Sequence, residues 1–208
     1  MITLHTWTTP NGRKPIILLE ELGVPYETAP VDIGSGAQFD PEFLKLSPNN
    51  KIPAIVDDEA EGGALSLFES GAILTYLADK YGKFLPPSGP ARWQAMQWLH
   101  WQIGGLGPML GQLGYFAQQD DAFGLERFVK EGGRLLTVLD TQLGRSEYVA
   151  GDEYTIADIA CYPWIMAASE RLPEMLAESL GKPNLQRWLS LVGARPAVQA
   201  GMKWKPRG

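Results

Sequence analysis

The chain changes character once, across residues 82–89, and that change limits the folds open to it. Upstream, strand and helix signals alternate; downstream, strand signals nearly vanish and helical periodicity takes over. Gly82, Pro86, Pro87 and Gly89, with Pro90 next to them, interrupt both periodicities. The spacing therefore predicts an α/β domain over 1–82, a linker over 83–89 and an all-helical domain over 90–208. A chain of 208 residues is long enough for two small domains, each with a core of its own.

Residues 2–7 have strand composition and end in the turn Thr9-Pro10-Asn11-Gly12. Residues 14–22 then present an apolar helical face through Ile17, Leu18 and Leu22, stopped by Gly23. Residues 26–33 read as a second strand, and the crossover length suits parallel pairing with the first. Two short strands, 54–56 and 65–68, flank an Asp/Glu/Gly-rich turn and read as a hairpin. A helix over 70–81 follows, with Ile73, Leu74 and Leu77 on one face. Composition alone makes this an α/β unit with a small mixed sheet; its element order, β-α-β, loop, β-β-α, is the thioredoxin-like one. Beyond the linker, helices are expected over 91–118, 125–143, 156–171 and 184–194.

Composition excludes several classes. At 45% hydrophobic and 20% charged residues the chain has ordinary globular usage, so it should fold. A net charge of −6 with no basic cluster argues against nucleic acid, whose phosphates call for dense Lys and Arg. No run of about 18 uncharged apolar residues appears, so no membrane span is expected. The first residues, Met-Ile-Thr-Leu-His-Thr-Trp, read as a strand start rather than a secretory leader. Cys161 is the one cysteine, which rules out an intrachain disulfide and a C-x-x-C redox pair and fits a cytoplasmic setting. With His5 and His100 as the two histidines, no His/Cys zinc cluster is expected.

The chemistry-bearing residues of the first half fall in four short segments, each with an ordinary structural reading beside the functional one. Thr8-Thr9-Pro10-Asn11-Gly12 is common turn chemistry. It is also a helix start whose unpaired N–H groups, with Thr9 and Asn11 side chains, suit a thiolate. In Asn50-Lys51-Ile52-Pro53-Ala54 the proline marks either an edge-strand start or a special bend. A cis Ile52–Pro53 bond would turn the Ile52 N–H and C=O toward a bound peptide, with Lys51 placed for a carboxylate. Phe68-Glu69-Ser70-Gly71 is a simple helix cap, or an α-amino-acid site in which Ser70 holds the carboxylate and Glu69 the ammonium. Gly34-Ser35-Gly36-Ala37-Gln38-Phe39 reads as a flexible loop carrying Gln38, a neutral donor suited to a second carboxylate.

Taken together these segments resemble the glutathione transferase family. The resemblance is carried by Asp40-Pro41-Glu42-Phe43-Leu44, Ser47-Pro48-Asn49-Asn50-Lys51-Ile52-Pro53-Ala54, Phe68-Glu69-Ser70-Gly71-Ala72-Ile73 and Tyr154-Thr155-Ile156-Ala157-Asp158. Thr9-Pro10-Asn11-Gly12 and Trp101-Gln102-Ile103-Gly104-Gly105-Leu106-Gly107-Pro108-Met109 are similar to the bacterial Nu-class and Ure2-like, disulfide-reductase members. The resemblance implies a thioredoxin-like domain followed by an all-helical one. It implies glutathione as bound co-substrate, held by Asn11, Gln38, Lys51, Ile52, Pro53, Glu69 and Ser70, with no metal. Arg127 would reach a carboxylate of glutathione on the other subunit of a homodimer.

Many members of the family place a catalytic Tyr, Ser or Cys near the end of the first strand. Here Trp7, Thr8, Thr9 and Asn11 stand there instead. That departure favours Thr9 and Asn11 as the groups that manage the glutathione sulfur, and glutathione-dependent disulfide exchange over general conjugation, with transferase and peroxidase turnover as side activities. The alternative is a glutathione-transferase-fold interaction protein that has lost catalysis.

In the second half, Thr155 and Asp158 read as a helix cap and Cys161 as a buried structural thiol. Gly104 to Pro108 should bend a long helix, with the concavity turned toward the first domain. Trp98, Trp101 and Phe116 either line the resulting pocket or belong to the core.

Overall fold

The computed structural model describes residues 1–206, which form two compact units. The first comprises Met1–Lys83 together with the segment that begins at Pro196; the second is Phe84–Arg195. The sequence expectation put everything after residue 90 in the second domain. The last helix instead packs on the first, for a reason visible in its glycine.

The first unit is built on a four-stranded sheet in the order β2-β1-β3-β4, with β1 at Ile2–Thr6, β2 at Tyr26–Pro30, β3 at Ala54–Asp57 and β4 at Leu65–Phe68. β1 and β2 pair in parallel around the crossover helix α1, Pro10–Leu22. β3 is antiparallel to both β1 and β4. α1 begins four residues before the helix expected over 14–22. Thr9 caps it by accepting from the Gly12 N–H at 3.1 Å, and Pro10 occupies the first turn, where its missing N–H is harmless. Gly23, at φ 68°, ends it in the left-handed conformation glycine adopts without strain.

The stretch read as a loop contains a 3-10 turn, Ala37–Phe39, and a short helix α2, Pro41–Leu46, capped by the Asp40 carboxylate on the Glu42 N–H. α3 spans Ser70–Tyr81, as the periodicity predicts. Ile2, Leu4, Ile16, Ile17, Leu18, Leu19, Ile55, Ile73, Leu74 and Leu77 are fully buried and form the core of this unit.

Asp57 ties β3 to α3. It is fully buried and accepts from Tyr76 Oη at 2.6 Å, from the Glu59 N–H at 3.0 Å and from Lys80. Burial alone would push its carboxyl up, but Lys80, Tyr76 and the Glu59 N–H outweigh that and leave it below the ordinary carboxylate range.

The remaining helix of this unit, named α10 after its place in the chain, spans Pro196–Lys203. A Cβ on Gly201 would stand 2.5 Å from Ile17 Cγ1 and 3.1 Å from the Ile17 Cα, so only glycine lets α10 approach α1 this closely. Arg13 locks the contact by donating to the Gly201 carbonyl at 3.2 Å and to that of Met202.

The second unit is helical: α4 Gly89–Trp101, α5 Gly107–Phe116, α6 Ala122–Leu143, α7 Ile156–Arg171, α8 Ala177–Leu180 and α9 Pro183–Gly193. The long helix expected over 91–118 is interrupted by a π-helical segment, Gln102–Leu106, which joins α4 to α5. Gly107, just beyond it, leaves room for two side chains, since a Cβ there would meet Gln102 Nε2 at 2.5 Å and Trp164 Nε1 at 3.1 Å.

α7 starts at a capping box. Thr155 Oγ1 accepts from the Ala157 N–H, and Asp158 Oδ2 accepts from the Thr155 N–H at 3.0 Å. Asp158 also accepts from the Val149 N–H at 2.9 Å and Trp188 Nε1 at 2.8 Å, joining the α7 start, the preceding loop and α9. Cys161, one turn on, is fully buried. No helix among the described residues is long and apolar enough to cross a membrane.

Candidate glutathione site

Sheet register brings the four segments to one end of the first unit. His5 pairs with Ala54, and Ala54 with Phe68, so the end of β1, the start of β3 and the end of β4 lie side by side. β2 runs parallel to β1 and leaves the sheet at the same end, where the Val31 N–H donates to the Thr6 carbonyl at 2.9 Å. The segments around Thr9, Gln38, Ile52 and Ser70 follow from these strand ends. Residues scattered over sixty positions are thus neighbours because of topology rather than local sequence.

The first segment is held against the sheet by Gly12. A Cβ there would lie 2.1 Å from the Trp7 carbonyl oxygen and 2.6 Å from Thr6 Oγ1, so no other residue fits. Thr6 is fully buried and donates to the Gly12 carbonyl at 3.0 Å, which fixes the α1 start from the strand side. Thr9 Oγ1 accepts from the Gly12 N–H; a hydroxyl has one proton and two lone pairs, so its O–H is left to donate elsewhere. Asn11 is half-buried on the same turn.

The second and third segments share a small apolar cluster. Val31, Phe43, Ile52 and Ala54 are buried together, with Trp7, Ala37 and Leu46 packed against them. Ile52 is thereby anchored between the end of β1 and the turn that carries Gln38. The Ile52–Pro53 bond is cis, and both residues are buried. Ser47 Oγ donates to the Lys51 carbonyl at 2.8 Å, leaving the Lys51 side chain exposed. Gln38 is less of a loop residue than its glycine-rich surroundings suggest. It sits on the 3-10 turn, and its Oε1 is buried with no hydrogen-bond partner among the described residues. A buried carbonyl oxygen without a donor costs about 1–3 kcal/mol, a debt that a ligand N–H at this position would cancel.

The fourth segment places Ser70 at the first turn of α3, 5% exposed. Glu69 precedes it at φ 71°, ψ 114°, a conformation that side chains rarely adopt, and its carboxylate is exposed. Sequence reasoning missed one residue here. Lys14 on α1 is 1% exposed and donates from Nζ to Ser70 Oγ at 3.2 Å. The signal was present, since Lys14 lies three and four positions before Ile17 and Leu18 and so shares their buried helix face.

Arg127 is exposed on α6, in the other unit, where its charge helps hold the Glu131 carboxyl below its ordinary value after the stronger effect of Arg134. Of the three aromatics considered for a pocket, Trp98 lines a groove of about 520 Å³ in the helical unit with Arg134, Val138 and Arg145. Trp101 packs edge-on against Trp98 at 5.1 Å, and Phe116 stacks on Phe128 at 5.2 Å. Among the described residues no group of three or more His, Cys, Asp or Glu side chains converges as a metal site.

A thioredoxin-like sheet whose strand-end loops carry a capped helix start, a cis-proline corner and a Glu-Ser pair defines the glutathione-transferase class of fold. The sequence matches the family "Glutathione S-transferase, N-terminal domain" over residues 1–79 and "Glutathione S-transferase, C-terminal domain" over 113–196. The chain belongs to the glutathione S-transferase family. It is 48% identical over 203 residues to the disulfide-bond oxidoreductase YfcG of Escherichia coli K12, covering 95% of this chain and 93% of that protein. A glutathione transferase family member from Pseudomonas fluorescens Pf-5, solved with two glutathione bound, superposes with a TM-score of 0.93 at 47% identity, covering 97% of this chain and 92% of that one. A glutathione transferase from Pseudomonas putida, solved with one glutathione disulfide bound per subunit, gives 0.92 at 43% identity and covers 97% and 90%.

Proposed function

We propose that the protein is a glutathione-dependent disulfide-bond oxidoreductase in which no sulfur of the enzyme takes part. The observation that carries this reading is the pairing of a sulfur-free strand end with a sequestered thiol. Trp7, Thr8, Thr9 and Asn11 stand where a Tyr, Ser or Cys nucleophile or donor would be, while Cys161 is fully buried in the core of the helical unit. Its similarity to a disulfide-bond oxidoreductase and to a protein solved with glutathione disulfide supports the same chemistry.

In this reading Gln38, Lys51, Ile52, Pro53, Glu69 and Ser70 hold the tripeptide. Ser70 and the α3 start take the γ-glutamyl carboxylate, and Glu69 takes its ammonium. Lys51 and Gln38 serve the rest of the backbone, and Ile52 pairs with it through main-chain bonds. Arg127 meets a carboxylate of glutathione held by a second subunit of a homodimer.

Thr9 and Asn11 manage the sulfur. A thiol of this kind ionises above neutrality, so the site has to favour the thiolate. The Thr9 O–H and the Asn11 amide donate to it, next to the positive end of the α1 dipole. The thiolate attacks one sulfur of a disulfide, forming a mixed disulfide and expelling the other sulfur as a thiolate that takes up a proton. A second glutathione thiolate then attacks the glutathione sulfur of the mixed disulfide, giving glutathione disulfide and releasing the reduced substrate. Transferase and peroxidase turnover draw on the same activated thiolate. A single buried thiol and a reductant abundant in the cytoplasm support a cytoplasmic setting.

Retention on glutathione-agarose followed by turnover of hydroxyethyl disulfide tests the reading. Cys161→Ser should retain turnover. The double change Thr9→Ala with Asn11→Ala should raise the pKa of the bound thiol and slow turnover roughly tenfold or more, the scale of a hydrogen bond to a charged group. Retention without turnover would identify a glutathione-binding interaction protein instead, and loss of turnover in a folded Cys161→Ser protein would refute the mechanism.

A further inference from the structure

Lys14 belongs to none of the segments that hold or activate the tripeptide in the reading above, yet it is the one lysine in the described chain buried to 1% exposure. Lysine is among the residues least often fully buried, because taking its charge out of water is unfavourable unless compensated. Its Nζ reaches across from α1 to Ser70 Oγ at 3.2 Å, between residues 56 positions apart.

The donor count at that contact has a direction. An ammonium only donates, so the Ser70 hydroxyl must be the acceptor, and a lone pair of Oγ is committed to Nζ. The single Ser70 proton therefore stays available for another acceptor. A hydroxyl that already accepts from a cation is also a stronger donor, since hydrogen bonds in a chain polarise one another. Ser70 opens α3, whose first N–H groups lack helical partners, and no side chain caps that end. An anion at this helix end meets a hydroxyl fixed in orientation and backed by a dry positive charge.

We infer that Lys14 is a positioning residue: through Ser70 it sets the preference of the site for a carboxylate over an uncharged amide at the γ-glutamyl end of the ligand. The inference rests on the glutathione reading. A lysine that merely struts α1 against α3 would affect stability and leave ligand discrimination alone, which separates the two roles experimentally.

The probes are glutathione and the same tripeptide with its γ-glutamyl α-carboxylate converted to a carboxamide, titrated against the full-length protein. The wild type should bind glutathione more tightly than the amide by roughly tenfold or more, the scale of one charge-assisted hydrogen bond. Lys14→Met, which keeps the length and apolar stem, should shrink that ratio several-fold and raise the KM for glutathione more than it lowers kcat. Ser70→Ala should shrink it similarly, and the double variant no further, because both changes cut one path.

An undiminished ratio in folded Lys14→Met overturns the inference. So does an undiminished ratio in Ser70→Ala, which decides the matter alone if Lys14→Met fails to fold. A wild type that binds neither tripeptide would instead remove the glutathione reading itself.

Discussion

Glu69 and Gly12 show how single residues commit backbone to the site. Gly12 is fixed by space: the Trp7 carbonyl occupies the place of a Cβ, so the α1 start lies flat against the strand end with Thr9 and Asn11 on its first turn. Glu69 is fixed against preference. At φ 71° a glutamate stores roughly 1–3 kcal/mol of strain that a glycine would not. Glu69→Gly should therefore leave stability unchanged or raise it, since relief of strain offsets the roughly 0.4–1 kcal/mol a glycine adds to the freedom of the unfolded chain. The same change removes the carboxylate expected to meet the glutathione ammonium. Denaturant unfolding and glutathione titration of one variant should move in opposite directions, and unaltered affinity would take Glu69 out of the site. Strain of this kind was invisible in the sequence, where Phe68-Glu69-Ser70 reads as any strand-to-helix junction. Lys14 was hidden for another reason. A lysine next to Arg13 reads as solvated by default, and only its phase relative to Ile17 and Leu18 points inward.

At the scale of elements, the two buried carboxylates respond to pH in opposite senses. Asp158 is fully buried, and desolvation raises its carboxyl to about 6 against donors from Val149, Thr155 and Trp188 that favour the charged form. Because the folded state holds this proton more tightly than the unfolded one, the group stabilises the fold below the ordinary carboxylate range. That contribution is lost as pH rises toward about 6, with a slope of at most about 1.4 kcal/mol per pH unit. Asp57 lies below its ordinary value, so its contribution is present above that range and disappears in acid. Asp158→Asn should remove the downward slope between about pH 4 and 6. At pH 7 it should cost roughly 2–4 kcal/mol, because every contact of Asp158 is a donor and an amide NH₂ must face one of them. Urea unfolding across that pH range checks both. α7 was readable because cap, acid and apolar run follow one another in sequence, and α3 likewise for its periodicity. α2 was passed over although Asp40, Pro41 and Glu42 are a helix start, because six residues carry too little periodicity to separate a turn of helix from a loop. The break in the long helix was legible from Gly104 to Pro108, but the π-helical form it takes over Gln102–Leu106 is not encoded in local spacing.

For the whole molecule, the division into units does not follow the order of the chain. The first unit is completed by α10, which arrives after the entire helical unit has been threaded, and Arg13 bonds across 188 positions to secure it. Change of periodicity finds a boundary near residue 83 but cannot find a return, since a short helix ending at Lys203 looks like a continuation of the helices before it. The return matters because α1 serves three partners at once. Its start carries Thr9 and Asn11, Lys14 reaches across to Ser70 of α3, and Ile17 lies against Gly201 of α10. Gly201→Val should force α10 off Ile17, because a branched carbon would overlap Ile17 Cγ1 and press on the Ile17 backbone, and the fully buried Ile17 side chain has little room to turn aside. Overpacking of this kind costs roughly 1–3 kcal/mol. Hydrogen exchange should report it first in α1, as lost protection of the Ile16 to Leu19 amides, with weaker glutathione binding in step because the turn proposed to hold the glutathione sulfur opens the same helix. Unchanged protection in α1 would mean that α10 decorates the first unit instead of completing it.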